Sequence, residues 1–412
     1  MGEVGARRRI VRISRFPRAM HIFTSINFDM RRRTAAIRGH AWSDQFGSPL
    51  PPVYLTAVFE QVGEARKSDR GVDLKYAREE NPTVRAFERI MASLEAGADA
   101  LAFNSGMASI STLSIYLLGR DDVLLTTKEA YGATLRFFSV VEEKFGVRLL
   151  KASPATDAVV EAVKSARPKV VFVETMTNPT LKVLDLPEVV KTAKDLGAAV
   201  VVDNTFATPV LINPLTLGAD YVVHSATKYI AGHNDVVGGV VATRAVDRDL
   251  WTYRAMLGGI MQPFEAFLCM RGVKTLFPRF ELQSRNAKAV AEFLAEHSKV
   301  KEVLYPGLPT HRDHEVARRL FGGLYGGVLS FKIRGGRPEV ERVLSSFRLI
   351  TPSPSLGGTE TIATYPILSA ASPIPPQDRE ELGITEDLIR LSIGLEDVDD
   401  IIEDLDRALG SI

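Results

Sequence analysis

Lys228 is the residue whose setting most clearly indicates chemistry. It follows the apolar run "DYVVHS" (220–225), has the hydroxyls of Ser225 and Thr227 just before it, and precedes a loop that ends in two glycines. A lysine on a solvated surface needs no such surroundings, whereas a lysine that bonds covalently to a cofactor does. The stretch "HSATK" therefore raises the hypothesis of a covalent lysine.

Asp203 ends another apolar run, "AAVVVD" (198–203). In open α/β sheets ligands bind outside the carboxyl ends of the strands, so Asp203 and Lys228 could converge on one crevice. The pair would suit pyridoxal phosphate (PLP), with a Schiff base on the lysine and a carboxylate that keeps the pyridine nitrogen protonated. Either residue alone is explained by a structural role, such as a capping aspartate. The pair leaves the structural and the cofactor-binding interpretations both open.

Three further stretches contain groups that suit a phosphate or a pyridine ring. In "NSGMAS", Gly106 and Met107 follow a strand and open a helix, where backbone N–H groups bind anions, although a plain helix cap would look the same. In "YAREENPT", Tyr76 and Arg78 can both donate to phosphate oxygens. The ring of Tyr131, in "YGAT", could stack on a pyridine or be an ordinary core tyrosine.

The elements that position these residues follow an alternating pattern. Short apolar runs alternate with segments of helical spacing such as "DAVVEAVKSA", which predicts βα units and a largely parallel sheet covered on both faces. The predicted strands are 100–103, 122–127, 147–153, 169–175, 198–206, 220–225 and 238–243. After Pro263 we predict a long helical stretch broken at Pro278 and then a smaller α/β domain, with strands at 327–333 and 389–395 and helices at 338–347 and 398–410.

Composition limits the classes of protein to consider. The 412 residues suffice for one large and one smaller domain, and 45% hydrophobic with 25% charged residues is typical of globular proteins. A net charge of +1 and the lack of an apolar run near ~20 residues argue against nucleic-acid and membrane partners. The single cysteine, Cys269, excludes an internal disulfide and a cysteine-based zinc cluster, and it fits a cytoplasmic location.

Two other features suggest partners that we do not expect. The first 40 residues contain ten arginines against two acidic residues, as in a transit peptide or a polyanion-binding arm. We expect instead a disordered extension, or a true start at Met20 or Met30.

His311 and His314 have i, i+3 spacing but no evident third ligand. We interpret them as a solvated helix start and expect no metal site.

Eight ordered stretches carry a resemblance to a known family. Over residues 34–410 the chain resembles the Cys/Met-metabolism family of PLP enzymes, which includes cystathionine γ-synthase, cystathionine γ-lyase, cystathionine β-lyase and methionine γ-lyase. The stretches are "YAREENPT", "NSGMAS", "YGAT", "ETMTNPT", "VVDNTFATP", "HSATKYIAGHNDVVGG", "SLGGTET" and "LIRLSIGLED".

The resemblance implies an α/β fold, PLP-dependent transferase fold type I (aspartate aminotransferase-like), with a large mostly parallel-sheet domain and a smaller C-terminal domain. It implies a basic extension at 1–33 and an arm at 34–80 that contributes to the neighbouring subunit's site. A PLP-binding domain would follow at 81–265, and a domain with the substrate carboxylate site at 266–412. The implied assembly is a homotetramer, a dimer of dimers with shared active sites.

The resemblance also assigns roles. Lys228 would bond to PLP and shuttle protons, Tyr131 would stack on the ring and act as acid and base, and Asp203 would pair with the pyridine nitrogen. The remaining cofactor contacts would be Gly106, Met107, Asn178, Ser225 and Thr227, with Tyr76 and Arg78 reaching the neighbouring subunit's phosphate. A small amino-acid substrate would be held by Asn178, Ser355 and Arg390, and Arg390 would grip its α-carboxylate by a bidentate pair.

Three departures leave the leaving group undecided. Pro354 stands where family members that handle cystathionine often have Glu, Ala133 where methionine γ-lyases have Cys, and Ala370 and Ala371 where many relatives have a Thr-His pair. We expect a PLP-dependent carbon–sulfur lyase or γ-replacement transferase that acts at Cγ of cystathionine or an activated homoserine. Methionine γ-lyase and cystathionine β-lyase are the alternatives.

Other classes of protein have less support in the sequence. A nicotinamide oxidoreductase would have G-x-G-x-x-G after an early strand, and a protein that binds nucleoside triphosphates would have G-x-x-x-x-G-K-[ST], but the chain has neither motif. A catalytically inactive relative that serves as a binding protein is the third hypothesis. The presence of Lys228, Asp203 and Arg390 argues against it.

Overall fold

The computed structural model describes residues 30–42, 44, 46–61, 68, 70 and 73–412. Of the predicted basic extension, residues 1–29 therefore lie outside the described residues. Within the described part, no helix combines the length and the apolar character needed to cross a bilayer. The predicted boundaries at 33/34, 80/81 and 265/266 stay predictions.

A seven-stranded sheet forms the first half of the fold. Its spatial order is β1-β7-β6-β5-β4-β2-β3, and β7 alone runs antiparallel to its neighbours, so the predicted largely parallel sheet is confirmed. The middle strands are apolar on both faces because helices cover both. The strands are β1 Asp99–Phe103, β2 Val123–Thr127, β3 Arg148–Ala152, β4 Val170–Glu174, β5 Ala199–Asp203, β6 Tyr221–Ser225 and β7 Gly239–Thr243.

A five-stranded sheet lies in the C-terminal part, in the order β10-β11-β12-β9-β8. Its central strand, β12, carries Arg390 and is antiparallel to both neighbours. The two sheets match the predicted large and small α/β units. The strands are β8 Val300–Leu304, β9 Val328–Ile333, β10 Thr351–Pro352, β11 Ile362–Thr364 and β12 Leu388–Ser392.

Fourteen α-helices are found in the described residues. Those that follow the parallel strands of the large sheet start at its carboxyl edge, as βα units require. The helices are α1 Arg32–Arg38, α2 Pro82–Leu94, α3 Gly106–Leu117, α4 Gly132–Phe145, α5 Thr156–Ala166, α6 Leu186–Asp195, α7 Thr208–Leu211, α8 Arg248–Leu257, α9 Pro263–Val273, α10 Leu276–Glu296, α11 His314–Phe321, α12 Arg337–Ser346, α13 Pro376–Leu382 and α14 Val398–Leu409.

Two local predictions were wrong. The long helical stretch is not broken at Pro278, which lies in the first turn of α10, where a missing N–H costs nothing. The break falls at Lys274 and Thr275 instead. His311 is not solvated but only 6% exposed, and its Nδ1 accepts a hydrogen bond from the Asp313 amide at 3.2 Å.

The start of α4 is packed tightly against the C-terminal part of the chain. A Cβ on Gly132 would lie 2.6 Å from the carbonyl oxygen of Ala370 and 2.8 Å from the ring of Pro373. Both distances are far below van der Waals contact. The first residue of this helix is therefore glycine because the loop at 369–373 needs the space of a side chain.

Candidate active site

A cavity of about 610 Å³ opens at the carboxyl edge of the large sheet, a volume typical of small-molecule sites. It receives side chains from the ends of β4, β5 and β6, the starts of α3 and α4, and the C-terminal sheet. Ten of the residues predicted for the site line this cavity: Gly106, Met107, Tyr131, Asn178, Asp203, Ser225, Thr227, Lys228, Ser355 and Arg390.

The amine of Lys228 is half-buried within this cavity. Its Nζ donates a hydrogen bond to Ser355 Oγ at 2.7 Å. Burial, together with the positive charge of Arg390, lowers the pKa of Lys228 to about 8. Ser355 itself has φ of 99°, a conformation that is strained for a residue with a side chain. Strain of this kind is common at functional sites, and here it aims the hydroxyl at the lysine.

The carboxylate of Asp203 lies at the end of β5, one strand away from Lys228. Its Oδ1 accepts hydrogen bonds from the amide and the hydroxyl of Thr205, at 3.0 and 2.5 Å. Burial raises the pKa of Asp203, while the Thr205 donors and nearby His224 act in the opposite direction. A cation in the cavity would favour the ionised form further.

The start of α3 forms an anion-binding end of the cavity. Ser105 caps the helix by accepting the Ala108 amide at 3.0 Å, and the amides of Gly106 and Met107 have no acceptor within a helix that begins there. A Cβ on Gly106 would lie 3.0 Å from Cβ of Ser225. A side chain here would make an unusually tight contact, so glycine favours the close approach of this helix start to the end of β6.

The hydroxyl of Thr227 is used within its own loop. It donates to the carbonyl of Gly238 at 3.2 Å and accepts the amide of the same glycine at 3.0 Å. This pair of bonds closes the loop that follows Lys228. Thr227 also lines the cavity, so its side chain is held in a fixed position there.

The guanidinium of Arg390 is 3% exposed and bonded only to neutral acceptors in the described chain. It donates to Asn178 Oδ1 at 2.8 Å, to the Ser355 carbonyl at 2.7 Å and to Thr364 Oγ1 at 3.2 Å. Three of its five N–H groups are thereby used. Its Nε has no hydrogen-bond partner among the described residues. Two donors therefore remain for a ligand, Nε–H and one N–H of Nη1.

Tyr131 precedes α4 at its N-cap and is 46% exposed. Its backbone amide donates to Oε1 of Glu174, at the end of β4, at 2.6 Å. The phenol ring borders the cavity that Lys228 and Asp203 also line. The position of the ring is thus fixed through the main chain.

Tyr76 and Arg78 are the predicted site residues that do not line this cavity. The Arg78 guanidinium lies 5.5 Å from the centre of the Tyr76 ring and donates to the carbonyl of Ala255 at 2.6 Å. Tyr76 is 40% exposed. The structure therefore does not bring these two side chains to the cavity of their own chain.

Comparison with known proteins assigns the family. Residues 33–410 match the model of the Cys/Met metabolism PLP-dependent enzymes. The chain belongs to this family. It is 38% identical to a cystathionine gamma-lyase of Bacillus subtilis, over 93% of this chain and 100% of the relative, and 41% identical to a cystathionine gamma-synthase of Mycobacterium bovis, over 88% and 92%.

The solved structures agree with this assignment. A cystathionine gamma synthase from Xanthomonas oryzae pv. oryzae, in complex with cystathionine, is similar to this chain with a TM-score of 0.88 and 36% identity. The alignment covers 93% of this chain and 98% of that one. The family and the predicted fold type I are thereby confirmed, and the protein is a PLP-dependent enzyme.

The residues present fit the cofactor of the family. Lys228 would supply the covalent bond, Asp203 the partner of the pyridine nitrogen, Tyr131 a stacking surface, and the amides of Gly106 and Met107 the donors for phosphate. When bound, PLP supplies an electron sink for the charge that develops at the substrate's Cα. The uncapped amides and the space kept free at Gly106 are the structural features on which this fit depends.

We expect cofactor attachment to the cofactor-free enzyme to follow the titration of Lys228. Because its pKa is lowered to about 8, about a tenth of the amine is neutral at pH 7, and only the neutral amine attacks a carbonyl. The rate of appearance of the visible band should rise with pH and level off above pH about 8. Stopped-flow mixing with PLP measures it. A rate that still rises tenfold per pH unit beyond pH 9 would contradict the assignment.

Two charged residues of the cavity, Glu174 and Arg136, were not predicted from the sequence. Glu174 ends β4 just as Asp203 ends β5, so the signal that indicated Asp203 was present for Glu174 as well. Arg136 lies one turn into α4 after Tyr131. Because Arg136 lies within a helix and not at the end of a strand, its local sequence did not indicate a site residue.

Proposed function

We propose that this enzyme cleaves or forms the bond at Cγ of cystathionine or an activated homoserine, as a cystathionine γ-lyase or γ-synthase. The proposal is carried by one observation: a neutralisable lysine and a buried arginine with two unused donors line the same cavity. It is supported by the names of the relatives, which are gamma-lyases and gamma-synthases.

The residues divide the work between binding and proton transfer. Arg390 binds the substrate's α-carboxylate and thereby turns the Cα–H bond towards Lys228. Lys228 then takes the Cα proton, gives it up within the site and, neutral again, takes a second proton from Cβ. The electrons left at Cβ expel the group at Cγ, and Tyr131 provides a proton to the departing sulfur or oxygen. Positioning by Arg390 contributes several kcal/mol to the lowering of the barrier.

Arg136 favours a substrate with two carboxylates. Cystathionine has one amino-acid group at each end, whereas methionine and acetylated homoserine have a single carboxylate. Arg390 is buried among neutral acceptors and would take the α-carboxylate. Arg136, on the exposed side of α4, also lines the cavity and would receive the distal carboxylate. Pro354 offers no carboxylate for the distal amino group, so the distal end of cystathionine would be bound through its carboxylate, by Arg136.

Arg136→Gln should therefore reduce activity in a substrate-dependent way. We expect kcat/KM for cystathionine to fall roughly tenfold, the effect of a lost charge-assisted hydrogen bond at a partly exposed site. The value for O-acetylhomoserine should change less than twofold. Steady-state kinetics with both substrates measures the difference. Equal losses for the two substrates would contradict a role at the distal carboxylate.

Product analysis tests the proposal directly. From L-cystathionine and water, γ-elimination gives cysteine, 2-oxobutyrate and ammonia, and γ-replacement joins cysteine to an O-acylhomoserine with release of the acid. β-Elimination gives homocysteine, pyruvate and ammonia instead. Pyruvate as the main product, without 2-oxobutyrate or cystathionine synthesis, would assign the enzyme to the β-lyases. Methanethiol from methionine as the preferred reaction would make it a methionine γ-lyase.

We also infer that the active sites are shared between subunits, within a homotetramer. Tyr76 and Arg78 do not line their own chain's cavity, which leaves them free to serve a neighbour's. Val237, which lines the cavity, is 63% exposed. Leu55 and Val58, in the segment that pairs with Tyr76, are 75% and 64% exposed. Apolar side chains so exposed favour cover by a second copy.

Mixed dimers should regain activity if the sites are shared. A subunit with Lys228→Ala and one with Arg78→Ala are each expected to be inactive or nearly so. One site of their mixed dimer would combine an intact Lys228 with the neighbour's intact Arg78. Co-expression with two different affinity tags and tandem purification gives the mixed species. The matched control pairs Lys228→Ala with Asp203→Asn, which restores no site because both residues belong to one chain.

Activity in the control pair, or none in the Arg78→Ala pair, would contradict shared sites. Full activity of a species that sedimentation shows to be monomeric would contradict them too.

A further inference from the structure

Glu174 is a buried carboxyl group that the proposed reaction does not use. It ends β4, is 5% exposed and lines the cavity. Its Oε1 accepts the Tyr131 amide at 2.6 Å. Its Oε2 is buried without a hydrogen-bond partner among the described residues. A carboxyl oxygen in such a place must be explained, because an ionised one without donors is costly.

Glu174 and Asp203 are direct neighbours in the sheet. They are paired in the parallel register of β4 and β5, so their side chains leave the same face of the sheet, with the strands about 5 Å apart. Two carboxylates on neighbouring strands that line the same buried cavity cannot both be ionised at little cost. One of the two therefore holds a proton.

The surroundings decide which carboxyl holds the proton. Asp203 receives two hydrogen bonds from Thr205, which stabilise its ionised form, whereas Glu174 receives one, from the Tyr131 amide. Burial first, and then the charge of Asp203, raise the pKa of Glu174 well above its usual range. The Tyr131 amide lowers it, and Glu129 raises it slightly.

Glu129 is the other charged group that acts on Glu174. It is fully buried and bonded to Lys182 Nζ at 3.0 Å and to the amide and hydroxyl of Thr180 at 2.7 and 2.6 Å. Its charge is thus compensated locally. No described cation forms an ion pair with Glu174, so the Tyr131 amide alone favours its ionised form, against two donors from Thr205 at Asp203.

We propose that Glu174 is an uncharged positioning residue of the cofactor site, which fixes the main chain of Tyr131 and leaves Asp203 as the only anion beside the pyridine nitrogen. Glu174 then holds the residue whose ring stacks on the cofactor, and Asp203 stabilises the positive charge of the pyridine ring. The inference rests on the cofactor of the family and does not depend on which bond the enzyme cleaves.

Glu174→Gln tests the charge state. The amide keeps an acceptor for the Tyr131 N–H and replaces a neutral acid by a neutral group. We expect the affinity for PLP and the pH midpoint of its visible band to equal those of the wild type. If Glu174 were ionised, the substitution would remove a negative charge from the cofactor site and lower that midpoint by about one pH unit or more. A shift of that size would overturn the proposal.

Infrared spectroscopy of the cofactor-free protein gives a readout that needs neither PLP nor turnover. At pH 7 the wild type should have a protonated-carboxyl C=O band that Glu174→Gln lacks, whereas Glu143→Gln, at an exposed position of α4, should keep it. A band that persists in Glu174→Gln, or its absence from the wild type, would overturn the proposal. Failure of the proposed γ-chemistry would leave this band unchanged, so the two outcomes are distinguishable.

Glu174→Ala tests the positioning role. It leaves the part-buried Tyr131 amide without its acceptor, which we expect to weaken PLP binding roughly tenfold. Equilibrium dialysis measures the affinity, and far-ultraviolet circular dichroism checks that the variant is folded. A folded Glu174→Ala protein with wild-type affinity and an unshifted visible band would contradict the role.

Discussion

Lys228→Ala should reduce turnover by at least about 10⁴-fold and abolish the borohydride-reducible link to PLP. The substitution removes the covalent attachment and also the base that takes the Cα proton, and proton transfer alone contributes about 10²–10⁴-fold. No described lysine shares the position of Lys228 in the cavity. Mass spectrometry after borohydride reduction locates the link, and product assays measure turnover.

The matched control is Lys164→Ala, at an exposed position of α5. It should keep wild-type turnover and the reducible link. Borohydride labelling of a lysine other than Lys228 in the wild type would refute the assignment. Noncovalent binding of PLP to Lys228→Ala is expected to persist, because Asp203 and the start of α3 are unchanged.

Arg390→Lys should reduce kcat/KM about 100-fold or more, although the charge is kept. The guanidinium uses three N–H groups on Asn178, Ser355 and Thr364 and has two left for the substrate. An ammonium has only three donors in total and no planar fork, so it cannot do both. The Cα–H bond would then be misdirected, and small errors of position cost about 10²-fold.

Arg334→Lys, at an exposed position after β9, is the matched control and should leave kcat/KM unchanged. The visible band of the bound cofactor should be the same in Arg390→Lys as in the wild type, which separates substrate positioning from loss of cofactor. Retention of more than half of the wild-type kcat/KM in Arg390→Lys would contradict a two-point grip.

Strand ends were the part of the site that local sequence could predict. Lys228 and Asp203 follow apolar runs, and parallel strands bring such ends to one edge, where the structure brings both side chains into one cavity. Arg390 is different, because it lies within a strand of the other sheet. Its position beside Asn178 depends on the packing of two distant parts of the chain, and only the resemblance indicated it.

What the sequence could not predict depends on neighbours in space. That Oε2 of Glu174 has no hydrogen-bond partner among the described residues, or that His311 is covered, follows from how separate elements pack and not from the residues next to them in the sequence. The break before α10 shows the same limit on a local scale. Pro278 is compatible with a first helical turn as well as with a break, and only the packing of α9 and α10 decides between them.

Gly132 suggests how substrate preference could be altered, and where such attempts would fail. Its Cα lies between the loop at 369–373 and the residue that carries the phenol ring, with no room for a methyl group. Bulkier residues introduced into that loop by directed evolution would therefore press on the start of α4 and displace Tyr131. Libraries aimed at new leaving groups should keep small residues at 370 and 371 and vary the opposite wall, around Pro354, where the side chain is exposed.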